Sequence, residues 1–233
     1  MQETMNTADQ QIFRTAGFAG IIGSVVFIGV FVVVGVFIES NPATTPVEWV
    51  ERFELIRYAR AAENGGYMLA LILYMACFLG LHRAAHPGHA GFALFGSGLC
   101  VVGLGSMLAG ALTHVAVTPL HELYYAEAAT AADQAALALM WLSTWGILNA
   151  LFVAGLAPVA VGLTMLGVAM LRSPHFRKWF SGLTLILGVA NIAVLVVILI
   201  NPDASEIAAI SIFGLIFFNI AAGWRLTRLP ASA

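Results

Sequence analysis

One stretch, THVAVTPLHELYYAE from Thr113 to Glu127, concentrates the side chains that could do chemistry in this sequence. It contains two histidines, two glutamates and two tyrosines but no Lys or Arg, and it lies between long uncharged runs. Imidazole and carboxylate groups can bind a ligand, coordinate a metal or exchange protons near neutral pH. The same composition is also typical of the solvated end of a helix hairpin, so the sequence leaves both interpretations open.

Polar and aromatic residues from two other segments extend this candidate site. Glu63 and Asn64 stand at the start of the second long uncharged run, whereas Trp141, Trp145 and Asn149 belong to the fourth. Polar groups at membrane depth are costly, which suggests either a function or a pairing for them. If the three segments are neighbours, we expect a pocket with aromatic walls and an acidic rim. Its predicted ligand-binding residues are Glu63, Asn64, His114, His121, Glu122, Trp141, Trp145 and Asn149.

Simpler explanations exist for the same residues. Glu63 can pair with Arg60 one helical turn away, His114 can cap its own helix, and the tryptophans can mark a membrane interface. Within a pocket we expect His114 to matter more than His121, because His114 precedes the helix break expected at Pro119.

A second histidine cluster, HRAAHPGH, places His82 and His86 four residues apart, with His89 just beyond Pro87. Two neutral imidazoles one turn apart can hold a metal ion, but a catalytic metal needs more ligands than this segment offers. A solvated turn is the favoured interpretation, and we predict neither a metal site nor a cofactor.

The sequence lacks the motifs of several function classes. It has no phosphate-binding or dinucleotide-binding glycine loop, no serine nucleophile elbow and no basic patch suited to nucleic acid. No charged residue falls near the centre of a hydrophobic run, which argues against an ion pump or a transmembrane proton relay. An enzyme is therefore less expected than a binding protein.

The composition identifies a membrane protein. Hydrophobic residues make up 61% of the 233 and charged residues only 9%, and the mean hydropathy is +0.93. Soluble domains carry about 25% charged residues, and about 20 apolar residues suffice to cross the hydrocarbon core. We predict an all-α bundle of six transmembrane helices that forms a single domain, residues 1–233. The predicted spans are about 15–38, 62–82, 90–117, 147–171, 178–200 and 206–226.

The distribution of positive charge predicts the orientation. The uncharged run Gln134–Leu171 is too long for one span, and counting it as one places seven of the ten basic residues on one side. By the positive-inside rule that side is cytoplasmic, so both termini are inside and THVAVTPLHELYYAE is outside. The surplus outer residues predict interfacial helices at about 46–60 and 133–145, the first starting at the capping sequence Thr45-Pro46-Val47-Glu48 and bending at Gly65-Gly66.

Three glycines, Gly96, Gly103 and Gly110, recur every seven residues in the third span. Small residues on one helix face let another helix approach closely, so we predict a packing seam. The sequence leaves open whether the neighbouring helix comes from the same chain, from a second copy in a homo-oligomer or from a partner membrane protein.

Three segments carry a family resemblance: RTAGFAGIIG, LALILYMACFLGLHRA and GLAPVAVGLTMLGVAMLRSPHFRKWFSGLTLILGVANI. They resemble a family of bacterial six-helix membrane proteins that is known only as a domain of unknown function. The resemblance covers most of the chain and implies six spans in the inner membrane, but it implies no functional residues. The sequences HRAAHPGH and THVAVTPLHELYYAE depart from the family pattern.

Three functions remain open. The first is binding of a lipid or small apolar molecule in a pocket open to the extracytoplasmic side, as in a carrier, sensor or transporter. The second is a structural or accessory subunit that associates through the glycine seam. The third is a metal-dependent membrane enzyme that uses His114, His121 and Glu63 or Glu122.

Overall fold

The protein is all-helical in the computed structural model, which describes residues 7–39, 44–201, 204 and 207–229, without the side chains of Thr7 and His114. Within these residues there are seven α-helices and no strand. Six helical segments are long and apolar enough to cross a membrane, which confirms the predicted all-α, multi-pass architecture. The helices are α1 (Thr7–Val33), α2 (Pro46–Ala85), α3 (Ala90–Thr113), α4 (Val117–Tyr124), α5 (Ala131–Arg172), α6 (Lys178–Ile200) and α7 (Ala208–Thr227).

The starts of the two longest helices follow from their capping residues. The Thr45 hydroxyl accepts a hydrogen bond from the Glu48 backbone N–H at 3.2 Å, and Pro46 takes the first helical position, as predicted. Thr130 and Asp133 form a full capping box in front of α5, where each side chain accepts from the backbone N–H of the other residue. Such caps satisfy backbone donors that a helix leaves unpaired at its start.

The predicted outer helices 46–60 and 133–145 are the first parts of α2 and α5 and do not form separate elements. The two helices contain 40 and 42 residues, which corresponds to about 60 Å each, roughly twice the thickness of a hydrocarbon core. The helix continues through Gly65-Gly66, the predicted position of a bend. Gly66 has a packing role, because a Cβ at this position would collide with the Val30 side chain of α1.

The glycine seam of α3 lies against α5 of the same chain. A Cβ built on Gly103 would collide with the Gly155 carbonyl oxygen, and one on Gly162 would lie 2.6 Å from the Gly96 carbonyl oxygen. The Ser106 hydroxyl on the same face donates to the Leu151 carbonyl at 3.0 Å. The seam therefore packs two helices closely, as predicted. Because α5 covers it, a second copy or a partner would have to use another face.

One end of the bundle gathers most of the basic residues. The Arg83 guanidinium at the end of α2 pairs with Asp9 of α1 at 3.0 Å, and Arg225 of α7 donates to the His175 carbonyl at 2.7 Å. Burial, together with the positive charge of Arg225, lowers the pKa of His175. The basic residues at this end are Arg14, Arg83, Arg172, Arg177, Lys178, Arg225 and Arg228.

The α3–α5 packing gives a direct test. We expect Gly103→Leu to lower stability by about 1–3 kcal/mol or more, because the nearest atom is the Gly155 carbonyl oxygen, a backbone atom that cannot rotate away. Gly98→Leu is the matched control, since Gly98 lies on the same helix and a Cβ added there would meet nothing within 4 Å. Thermal unfolding in detergent measures both. Equal melting temperatures for the two variants would contradict the packing described here.

Candidate functional site

At the end of the molecule opposite the basic residues, three helical segments form what we call the cap: residues 46–62 of α2, all of α4, and residues 131–146 of α5. The cap has its own apolar core, separate from that of the bundle. In this core the rings of Phe53 and Trp141 meet edge to face with centroids 5.0 Å apart. The buried core residues are Val50, Phe53, Val117, Leu120, Tyr124, Ala138 and Trp141.

The inward face of α2 carries two buried charged residues, Arg60 and Glu63. Trp49, Phe53, Ile56, Arg60 and Glu63 follow one another at spacings of four and three residues, which places them on one side of a helix. The apolar stripe that starts at Trp49 therefore continues into a charged pair. Arg60 is 8% exposed and Glu63 is 2% exposed.

Arg60 is held by one carboxylate and two indole rings. Its Nη1 donates to the Glu63 carboxylate at 2.7 Å. Its guanidinium carbon lies 5.5 Å from the ring centre of Trp49 and 5.7 Å from that of Trp145. These distances are within the range of cation–π attraction, which strengthens where water is excluded. Arg60 is thus a buried positive charge fixed from three directions.

A cavity of about 180 Å³ lies beside this arginine. A cavity of about 150 Å³ can hold a molecule the size of benzene, so this one takes a small ring or a short stretch of alkyl chain. Two of its wall residues, Leu142 and Trp145, are 43% and 42% exposed, so the cavity borders the protein surface. The lining residues are Trp49, Arg60, Val117, Trp141, Leu142, Thr144 and Trp145.

Four of the predicted site residues lie at or near the cavity. Trp141 and Trp145 line it. Glu63 binds the arginine that lines it, and Asn64 follows Glu63 along α2 in a half-buried position. The predicted convergence of α2 and α5 at this end of the bundle is therefore present.

The other predicted site residues are placed differently. His121 packs its ring on Phe53 at 5.2 Å between centroids, so it belongs to the cap's apolar contacts and does not line the cavity. Glu122 and Asn149 are exposed and do not line the cavity either. The side chain of His114 lies outside the described part of the structure, and its backbone begins the short 3₁₀ turn between α3 and α4.

Arg60 and Trp49 are the main residues that sequence reasoning missed as part of the site. The sequence predicts Arg60 only as a salt-bridge partner of Glu63, and Trp49 is not among the predicted site residues. The spacing of four and three residues from Trp49 to Glu63 was the available signal, because it places both charges on the face that packs inward.

The histidines near the basic end have other roles. The His89 Nδ1 accepts from the Phe92 backbone N–H at 3.3 Å, so this imidazole caps the start of α3. The rings of His82 and His86 meet edge to face at 5.8 Å. Among the described residues, no group of three or more His, Cys, Asp or Glu side chains is placed to hold a metal ion.

Comparison of the chain with protein-family models, curated proteins and solved structures gives no match. The resemblance to a bacterial six-helix family stays a prediction, and a functional assignment has to rest on the cavity and its arginine.

The Arg60–Glu63 pair leads to a quantitative prediction. We expect Arg60→Gln and Glu63→Gln each to cost about 3–5 kcal/mol, since each leaves one buried charge without its counter-charge. The double variant should cost less than the sum of the two, as expected for a directly interacting pair.

The matched control is the pair Glu54 and Arg57, which has the same three-residue spacing on α2, a distance of 3.9 Å and side chains 64% and 48% exposed. Exposed pairs contribute about 0–1 kcal/mol, so neutralising this pair should change little. Chemical unfolding in detergent gives the free energies. Additive losses at Arg60 and Glu63 would show that the two charges do not act as a pair.

Proposed function

We propose that this multi-pass membrane protein binds a lipid or another small apolar molecule in the cap cavity and acts as a carrier, sensor or transporter-like protein. The observation that carries the proposal is a largely apolar cavity that borders the surface, has three tryptophans in its wall and is lined by a buried arginine. Ligand sites are commonly apolar concavities with a few fixed polar groups. A buried ion pair is seldom retained for stability alone, which supports a role in binding.

The proposed orientation places the cap on the extracytoplasmic side of a bacterial inner membrane, with both termini in the cytoplasm. The seven basic residues at one end of the bundle support it, because positive charge is enriched on the cytoplasmic side. The opposite end carries Arg52, Arg57 and Arg60, and Arg60 is neutralised by Glu63. In this orientation the cavity is accessible from the extracytoplasmic side.

A structural or accessory subunit is the second candidate function. The observation that favours it is the exposure of two large side chains on the cap, Leu55 at 87% and Tyr58 at 88%. Exposed apolar residues that cluster on one surface are typical of protein–protein contacts. A stable oligomer without any retained small molecule would favour this alternative.

Binding is tested by native mass spectrometry of protein purified in mild detergent. We expect the wild type to retain a lipid-sized mass and Trp145→Ala to lose most of it, because Trp145 forms the exposed wall of the cavity. Trp179→Ala is the matched control, since Trp179 is also exposed but lies at the basic end. Retention that is the same in all three proteins would contradict binding in this cavity.

Orientation is tested with single cysteines and a membrane-impermeant thiol reagent. A cysteine at exposed Ala128, in the loop between α4 and α5, should react in intact cells. A cysteine at exposed Lys178 should react only after lysis. The native Cys77 and Cys100 are fully buried and should give little background. Labelling of the Lys178 variant in intact cells, with none at Ala128, would reverse the proposed orientation.

A further inference from the structure

The charge of the cavity wall limits the chemistry of its ligand. Among the seven lining residues, Arg60 is the one charged group, and no carboxylate lines the wall. The hydroxyl of Thr144, the other polar lining residue outside the indoles, already donates to the Trp141 carbonyl at 2.8 Å. Within the described residues, the wall therefore presents one fixed positive charge in apolar surroundings. Glu63 balances this charge from outside the lining, so the side of the pair that faces the cavity is the positive one, which favours an anionic over a cationic head.

The guanidinium has more donors than Glu63 uses. It carries five N–H groups in a planar fork that matches the paired oxygens of a carboxylate or phosphate. The hydrogen bond to Glu63 comes from one of its nitrogens, Nη1. Since Trp49 and Trp145 hold the group in place, an incoming acid would meet a donor that is already oriented.

The rest of the wall is suited to an apolar body. Val117, Trp141, Leu142 and Trp145 supply an aliphatic and aromatic surface next to the guanidinium. The volume of about 180 Å³ is below the roughly 300–1,000 Å³ of pockets that enclose whole drug-sized ligands. Only the part of a larger molecule next to its head would fit inside, and the remainder would leave past the exposed side of Leu142 and Trp145.

The position of Arg60 along α2 fits a molecule that lies in a membrane leaflet. Arg60 precedes Ala85, the end of α2, by 25 residues (85 − 60), or about 38 Å of helix. A bilayer with its headgroups is about 40–45 Å thick. With Ala85 at one interface, Arg60 lies at headgroup level on the other side, where an amphiphile has its head.

We infer that the cavity takes an amphipathic anion, with a carboxylate or phosphate head on Arg60 and an apolar body against Trp141, Leu142 and Trp145. This inference rests on the proposed function and narrows it to one class of ligand. Because Glu63 shares the guanidinium, its negative charge opposes the bound head, and removal of that charge strengthens binding.

The test compares probes that share a chain of about ten carbons and differ in the head: decanoate, decyl phosphate, decanol and decyltrimethylammonium. Acetate, which has the carboxylate without the long chain, is the control. Dissociation constants are measured by native mass spectrometry in nonionic detergent. Decanoate or decyl phosphate should bind about tenfold to 100-fold more tightly than decanol, as expected for a hydrogen bond to a charged group. The trimethylammonium probe should bind most weakly.

Three variants assign the preference to Arg60. The double variant Arg60→Gln with Glu63→Gln, which leaves no unpaired buried charge, should bind decanoate and decanol equally. Glu63→Gln alone should bind decanoate several-fold more tightly than the wild type. Arg57→Gln, which removes an exposed arginine from the preceding turn of α2, should leave the preference unchanged.

The other outcomes separate the inference from the proposed function. Equal binding of decanoate and decanol to the wild type would overturn the inference while leaving an apolar binding site. If acetate binds as tightly as decanoate, the ligand does not need an apolar chain. The cavity would then be a site for a free anion. Weaker decanoate binding by Glu63→Gln protein that remains folded would show that the Glu63 carboxylate does not compete with the head for Arg60. Binding of none of the probes, together with no retained lipid mass, would overturn both proposals.

Discussion

The close contact between the backbones of α3 and α5 fixes the position of one wall of the cavity. Inside a membrane the hydrophobic effect does not drive helices together, so packing at small residues determines which faces meet. Here Gly103 and Gly155 approach so closely that neither position has room for a Cβ. Because α5 is one continuous helix, this contact also sets the position of Trp145, 10 residues before Gly155 and about 15 Å along the axis. The cavity wall therefore depends on a contact within the bundle.

The distribution of charged residues distinguishes the surroundings of the cavity from the rest of the bundle. Most of the other described charges lie near the two ends of the bundle or in exposed parts of the cap, where water can solvate them. Arg60 and Glu63 are the exception, since both are almost completely buried beside an apolar cavity. Apolar residues of similar volume would pack there at a lower cost in desolvation. Within the proposed function, this pair supplies the positive charge that an anionic ligand needs.

Much of the fold follows from the sequence, because a chain in hydrocarbon must satisfy its backbone hydrogen bonds within helices. Lengths and hydropathy therefore predict six spans, and the capping sequence at Thr45 predicts where α2 starts. The sequence predicts a bend at Gly65-Gly66, but it does not show that Gly66 packs against Val30 of α1. The role of Arg60 was missed for a related reason. A pair three residues apart is usually solvated, and only the neighbouring helices show that this one is buried.

The packing between the cavity and the basic end bears on what a bound molecule can do. On α2, the same helix that carries Arg60, the side chains of Tyr74, Phe78 and Leu81 are fully buried. The Tyr74 hydroxyl donates to Ser24 of α1 at 3.1 Å, and the ring of Phe78 stacks on that of Phe218 of α7 at 5.8 Å. A molecule in the cavity thus faces closely packed side chains in the direction of the basic end. Protein interiors packed in this way do not open without moving whole helices. The structure therefore favours binding and release on the side of the cap over passage through the bundle, and within the proposed function it favours a carrier or a sensor.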